Sequence, residues 1–335
     1  MPVSIDRLTP ARPAEDFPSS GRIEIGLLNN MPDSALEATE RQFTALLEQA
    51  SEGLRVGLRL FTMPEIRRGD RAAERVKSLY APADLLLHTS LDALIVTGTE
   101  PIAADLREEP YWNALTRIID WADRNTVSTI FSCLAAHAAV LHLDGIARRP
   151  LAKKRFGIYG EDIVADHALT RGMEALPTPH SRWNELREKD LRDADYDILT
   201  QSEEAGVGLF AKQREALFLF FQGHPEYEAE SLLREYRRDI GRYLRGERPT
   251  YPGRPAHYFD PRARDRVAHF KKRAVGRREK EMLGEFPIFE LRRALKNSWR
   301  PGAVAIYRNW LNFINNGKPE RMAARPAERK RAANS

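Results

Sequence analysis

The chain of 335 residues holds one cysteine, Cys133, where the β-branched run "VSTIFSC" gives way to the alanine-rich "LAAHAAVLHLDG". A thiol between a strand end and a helix start suits a nucleophile. The helix dipole favours the thiolate there, and open α/β sheets bind ligands at the carboxyl ends of their strands. The backbone N–H of Leu134 would then lie near any carbonyl that Cys133 attacks, giving one oxyanion donor. The Thr97–Gly98–Thr99 strand end offers a second, assigned to Thr99, because glycine permits close backbone approach. The competing reading is plain packing, since free cysteine is among the most buried residue types.

A base for the thiol is found in "LFLFFQGHPEY", an apolar strand stopped by Gly223 and followed by His224 and, two residues on, Glu226. Residues two apart in an extended segment lie on one side. His224 can take the thiol proton while Glu226 orients the ring and stabilises the imidazolium. The alternative for His224 is a capping or core histidine. His137 and His142 belong to the helix after Cys133 and are expected to point away from a cleft. His180, in "PTPHSRW", shares a turn with Ser181 and Arg182 that either lines a pocket or ties down a loop. No histidine pair has metal-ligand spacing with a third ligand, so no metal is expected.

These residues need a sheet to position them. "RIEIGLLNN", "LRVGLRLFTM", "ALIVTG" and "VSTIFSC" read as strands, separated by helical patterns in "MPDSALEATERQFTALLEQAS", "YWNALTRIIDWADRN" and "LAAHAAVLHLDG". Strands alternating with helices predict a doubly wound, mainly parallel α/β sheet flanked by helices. From Lys153 to Gln222 shorter apolar pieces predict strands that finish the sheet and an antiparallel flap around it. "EAESLLREYRRDIGRYLRGE" is an amphipathic helix with Leu232, Leu233, Tyr236 and Ile240 on one side.

The expected organisation is a flexible arm over 1–20, a catalytic α/β domain over 21–250, a C-terminal extension over 251–315 packing on it, and a basic, disordered tail over 316–335. Proline and acidic residues stand where a signal peptide would need a basic patch and an apolar run, so the chain reads as cytoplasmic, without a membrane span. The net charge of +5 is concentrated in "HFKKRAVGRREKEM" and "AARPAERKRAANS". No aromatic-interleaved module accompanies them, so no nucleic-acid partner is expected.

Taken in order, "LNNMP", "ALIVTGTEP", "EPYW", "STIFSC", "PHSRW", "GHPEY" and "EYRRD", with the late "SWRPGAVAIYRNWLN", resemble the homoserine O-succinyltransferase family over roughly residues 21 to 315. An insertion interrupts the likeness around residues 262 to 290. The resemblance implies a class I glutamine amidotransferase-like fold and ping-pong acyl transfer in methionine biosynthesis. Cys133 would take the acyl group from acyl-coenzyme A, a co-substrate, with no bound cofactor. His224, positioned by Glu226, would then activate the hydroxyl of homoserine. The resemblance also implies substrate-binding roles for Lys154, Ser181 and Arg238, with Glu235 orienting Arg238 or contacting the substrate amine, and a homodimer.

The chain departs from the family pattern at several places. Asp33 and Ser34 follow "MP" where lysine is usual, Leu134 replaces a common tryptophan, and "FGIYGED" lacks the usual "EH" ending. Ile102 falls on the position that selects the acyl donor, glycine being typical of succinyl users and glutamate of acetyl users. Isoleucine brings no repelling carboxylate yet fills the space glycine leaves, so succinyl-coenzyme A is only the family default over acetyl-coenzyme A. Trp183 leaves room for serine or another hydroxy amino acid as acceptor. A glutaminase is disfavoured because Phe131 and Ala135 occupy the flanking glycine places of G-x-C-x-G. A non-catalytic binding protein is disfavoured by the joint presence of Cys133, His224 and Glu226.

Overall fold

The computed structural model describes residues 3–6 and 21–332, with side chains through Lys318. In the first half β1 (Val3–Ile5), β2 (Arg22–Leu28), α1 (Asp33–Ala50), β3 (Arg55–Thr62), α2 (Asp70–Leu79), β4 (Tyr80–Pro82), α3 (Ala83–Leu86), β5 (Ala93–Val96), α4 (Trp112–Asn125), β6 (Ser128–Ser132) and α5 (Leu134–Asp144) interleave strands and helices. The second half holds β7 (Arg149–Tyr159), β8 (Asp162–Ile163), β9 (Thr178–Glu185), α6 (Glu188–Arg192), β10 (Asp197–Ile198), β11 (Thr200–Ser202), β12 (Gly206–Val207), β13 (Leu209–Gln213) and β14 (Leu217–Phe221). Helices α7 (Ser231–Leu244), α8 (Pro261–Arg277), α9 (Ile288–Ala294) and α10 (Arg300–Ala332) close the chain.

The main sheet runs β1-β3-β2-β5-β6-β14-β13-β10, with β4 also paired to β3. It is parallel from β1 through β14 and antiparallel at β13 and β10. Every residue of β5, β6 and β14 is buried, as expected of parallel strands covered on both faces. On one face α4 and α5 bring Leu115, Ile118, Ile119 and Ala139 against Phe131 and Phe220. On the other, α1 and α10 bring Phe43, Leu46, Tyr307 and Trp310 against Ile95, Ile130 and Leu219. The predicted doubly wound sheet is therefore present, and its parallel strands deliver their carboxyl ends to one edge.

Two contacts fix the strand that carries the cysteine. Trp310 Nε1 donates to Ser128 Oγ at 2.9 Å, and Ser128 Oγ donates to Leu217 O at 2.7 Å. Trp310 is fully buried, and truncating such a side chain costs about 3–5 kcal/mol. Helix α7 meets α8, α9 and Trp299 in a separate apolar cluster, with Leu232, Tyr236 and Ile240 against Val267, Phe270 and Leu291. The sequence placed an insertion over much of α8, but Asp260 caps this helix by accepting from Ala263 N, and its apolar side holds α7 in place.

The flap is β7 paired antiparallel with β9, Phe156 opposite Ser181. The apolar piece "YDILTQS" divides between sheets: β10 joins the main sheet and β11 pairs with β8 and β12. Other boundaries differ from expectation. Val3 is buried and β1 pairs in parallel with β3, so the expected arm is tied to the sheet there, while residues 1–2 and 7–20 lie outside the described residues. α2 has only Ala72 buried, which left no apolar stripe to read. The expected start of the tail at 316 falls inside α10, where Lys318 Nζ donates to Arg22 O and Asp92 Oδ2 at 2.6 and 2.8 Å. Among the described residues, no helix is long and apolar enough to cross a membrane.

Candidate active site

Cys133 is the hinge between β6 and α5, with φ 53° and ψ −108°. A non-glycine residue pays about 1–3 kcal/mol for such a backbone, which recurs where a side chain must be presented at a sharp turn. Flanking hydrogen bonds hold it: Cys133 N–H donates to Phe221 O at 2.7 Å, and Ala136 N–H donates to Cys133 O at 3.0 Å. The thiol is partly exposed on the wall of a cavity of about 880 Å³.

Above the thiol the loop after β5 touches the start of α5. A Cβ at Gly98 would lie 2.5 Å from Leu134 Cβ and 3.2 Å from Leu134 N, so only glycine allows this approach. Leu134 N–H belongs to the first helical turn, whose amides lack intrahelical acceptors. Leu134, Gly98 and half-buried Thr99 all line the cavity with Cys133.

His224 follows β14, the neighbour of β6. Its N–H donates to Pro179 O at 2.7 Å, and Gly223 permits the contact, since a Cβ there would meet Thr178 Cγ2 at 2.4 Å. The ring Nδ1 lies 2.9 Å from Glu226 Oε1, and both side chains are buried. Ser132 Oγ also approaches Glu226 Oε1, at 3.4 Å, while Oε2 is buried without a hydrogen-bond partner. Burial alone would lower the basicity of His224. The charges of Cys133 and Glu226, and hydrogen bonds to both, outweigh it and hold His224 well above the ordinary histidine range. The thiol and the carboxylate thus act on one imidazole, which favours its charged form.

Tyr227 completes this corner. Its ring stacks on His224 with centroids 4.3 Å apart and planes at 15°, and its hydroxyl donates to Glu235 Oε1 at 2.8 Å. Glu235 Oε2 accepts from Ser181 Oγ at 2.5 Å and from Lys154 Nζ at 3.4 Å. Arg238 lies 3.9 Å from Glu235 and 3.2 Å from Asp239, while Lys154 lies 3.6 Å from Asp239. Burial opposes the charge on Arg238, but these two carboxylates raise its pKa above the usual value. The wall comes from three elements, Lys154 on β7, Ser181 on β9 and Glu235 with Arg238 on α7, and faces the same cavity as Cys133. Paired acids and bases on it can hold a zwitterion, the cations its carboxylate and Glu235 its amine.

The other expected residues separate. Ile102 is 88% exposed and is absent from the cavity wall, although its neighbours Glu100 and Pro101 line it. Trp183 lines the mouth. His137, expected to point away from the cleft, lines the cavity, but it is buried against Gln222 Oε1 at 3.2 Å, and burial pushes it down to about 3. It packs rather than acts as a base. His180 is wholly buried with Glu161 at 2.8 Å, its basicity lowered by burial, and His142 pairs with Asp120. Among the described residues no group of three potential ligands could hold a metal. Sequence reasoning gave no role to Tyr227, although it ends the quoted "GHPEY", nor to Asp239, Arg148 and Arg248, which also line the cavity.

The sequence model of the family described as homoserine O-succinyltransferase matches residues 19–319. Homoserine O-succinyltransferase of Rhodopseudomonas palustris is 49% identical over 290 residues, covering 86% of this chain and 87% of that protein. The protein of that name from Methylorubrum extorquens is 47% identical over 299 residues, covering 89% of each chain. Among solved structures, a glutamine amido transferase from Methylobacillus flagellatus aligns with a TM-score of 0.48 at 14% identity, over 88% of this chain and 96% of that one.

Proposed function

Since the chain belongs to the homoserine O-succinyltransferase family, and is therefore an acyltransferase, we propose that it moves the succinyl group of succinyl-coenzyme A to the hydroxyl of homoserine through a thioester on Cys133, in methionine biosynthesis. The observation that carries this reading is the pairing of Cys133 with His224 and Glu226 in a cavity that Lys154, Ser181, Glu235 and Arg238 also line.

In the first half-reaction the Cys133 thiolate attacks the donor thioester carbonyl. The oxyanion forms near Leu134 N–H and the Gly98–Thr99 backbone, where donors stabilise it as charge develops. Collapse expels coenzyme A, which takes the proton of the His224 imidazolium and leaves as the thiol. The products are a Cys133 thioester and a neutral imidazole. In the second half-reaction homoserine sits with its carboxylate against Arg238 and Lys154 and its amine against Glu235. His224 removes the hydroxyl proton, the oxygen attacks the thioester, and Cys133 leaves as thiolate. O-succinylhomoserine forms and the thiolate–imidazolium pair is restored. Glu226 keeps the ring oriented in both half-reactions and stabilises it whenever it carries the proton.

The test is exchange without acceptor. Labelled coenzyme A should enter succinyl-coenzyme A when the enzyme is present and homoserine is absent, and Cys133→Ala should abolish it. A wild-type enzyme that makes O-succinylhomoserine but shows no exchange would require direct transfer between bound substrates.

A further inference from the structure

Six basic side chains, Arg148, Lys154, Arg182, Arg238, Arg242 and Arg248, line the cavity of Cys133. Five have a carboxylate within 4.0 Å. Lys154 and Arg238 share Glu235 and Asp239, Arg182 reaches Glu185 at 3.9 Å, Arg242 reaches Glu100 at 3.9 Å, and Arg248 reaches Asp239 at 3.8 Å. Arg148 differs. Its side chain donates to Ala104 O at 3.3 Å, and no carboxylate of the described residues lies within salt-bridge distance of it.

Arg148 is also partly dehydrated. Burial holds its pKa below the usual arginine value, against the longer-range pull of Tyr111, Glu109, Cys133 and Asp105. A guanidinium that has lost water and gained no counter-ion is costly unless a ligand supplies the anion. Arg182 cannot serve in the same way. It is buried, and its three nitrogens donate to His180 Nδ1, Asn184 O and Ala205 O.

The loop that carries Ile102 points to the same group. Glu109 Oε1 accepts from Ile102 N and Ala103 N at 2.6 and 2.7 Å, and the next carbonyl, Ala104 O, accepts from Arg148. The exposed Ile102 side chain adds nothing to the cavity wall, whereas its loop braces Arg148. We infer that Arg148 binds the free carboxylate of the succinyl group and thereby selects the acyl donor, an inference that rests on the acyl transfer proposed above. A planar guanidinium takes a carboxylate in paired hydrogen bonds, and an uncharged acyl group would leave it unpaired.

The experiment compares single-turnover acylation of the full-length enzyme by succinyl-coenzyme A and by butyryl-coenzyme A, a donor of equal chain length without the carboxylate, in wild type, Arg148→Met and Arg148→Lys. The ratio of succinyl to butyryl acylation rates should fall roughly 10- to 100-fold in Arg148→Met, as loss of a charge-assisted pair predicts. Arg148→Lys should give an intermediate ratio. An unchanged ratio, including an equal loss with both donors as expected if Arg148 instead held a coenzyme A phosphate, would overturn the assignment while leaving acyl transfer intact. Failure of wild type to be acylated by either donor would overturn the Cys133 thioester proposed above and this inference with it.

Discussion

The ring of Tyr227 lies flat on the imidazole of His224, 4.3 Å between centroids, while its hydroxyl donates to Glu235 at 2.8 Å. One side chain therefore touches both the group assigned as base and the carboxylate assigned to the acceptor amine. A ring face also favours a cation above it, so the stack supports the charged form of His224. Tyr227→Phe keeps the stack and removes the link to Glu235. The expected result is a rise of about 10-fold in KM for homoserine with acylation by the donor little changed. Stopped-flow release of coenzyme A, set beside steady-state kinetics, separates the two.

Glu226 is predicted to set the pH profile of acylation. His224 is raised well above the ordinary range, and the proposed acylation uses its imidazolium, so the rate should be lost only as pH rises through that raised value. Glu226→Gln removes one supporting charge. The alkaline limb should move to lower pH, and the neutral-pH rate should fall by up to roughly 10⁴-fold, as an amide-for-carboxylate change does in a serine triad. An alkaline limb that stays in place would mean that Glu226 does not govern His224.

Gly98→Ala should act through geometry alone. The added methyl would sit 2.5 Å from Leu134 Cβ, so the loop must move off the helix start and take its backbone away from the oxyanion. Acylation should fall about 100-fold or more, while iodoacetamide should still alkylate Cys133. Equal loss of both would place the defect at the thiol.

His137 carries a stability prediction. Its folded pKa of about 3 lies below the ordinary 6.5. Between those values the unfolded chain holds a proton that the folded chain does not, so stability is lost as pH falls through this window. For a shift of this size the contribution is on the order of 5 kcal/mol. His137→Gln keeps a donor for Gln222 and has no proton to gain. Urea melts at pH 7 and pH 4 should show a smaller acid loss in the variant than in wild type. His224 works in the opposite sense, its contribution being lost only at high pH.

The parts of the site that were legible in the sequence are those encoded locally. Cys133 announces itself by a strand turning into a helix within a few residues, and His224 with Glu226 by a glycine-stopped strand and a two-residue spacing. The doubly wound sheet follows from β5, β6 and β14 being apolar on both faces. Other features depend on contacts between distant segments. That Arg148 lacks the carboxylate its five neighbours possess appears only once β7, α7 and the loop after β5 surround one cavity. The exposure of Ile102 depends on Glu109 pinning its backbone seven residues away. Tyr227 looked like any aromatic after a turn until its ring met His224. α2 escaped because a helix with one buried residue leaves no stripe.

The most direct measurement is the intact mass of the enzyme after brief exposure to succinyl-coenzyme A, followed by a chase with homoserine. One added succinyl group is expected, mapped to Cys133, absent in Cys133→Ser and removed by homoserine as O-succinylhomoserine. An unmodified protein that nonetheless turns over, or an adduct that homoserine does not discharge, would contradict a thioester on Cys133 as the intermediate.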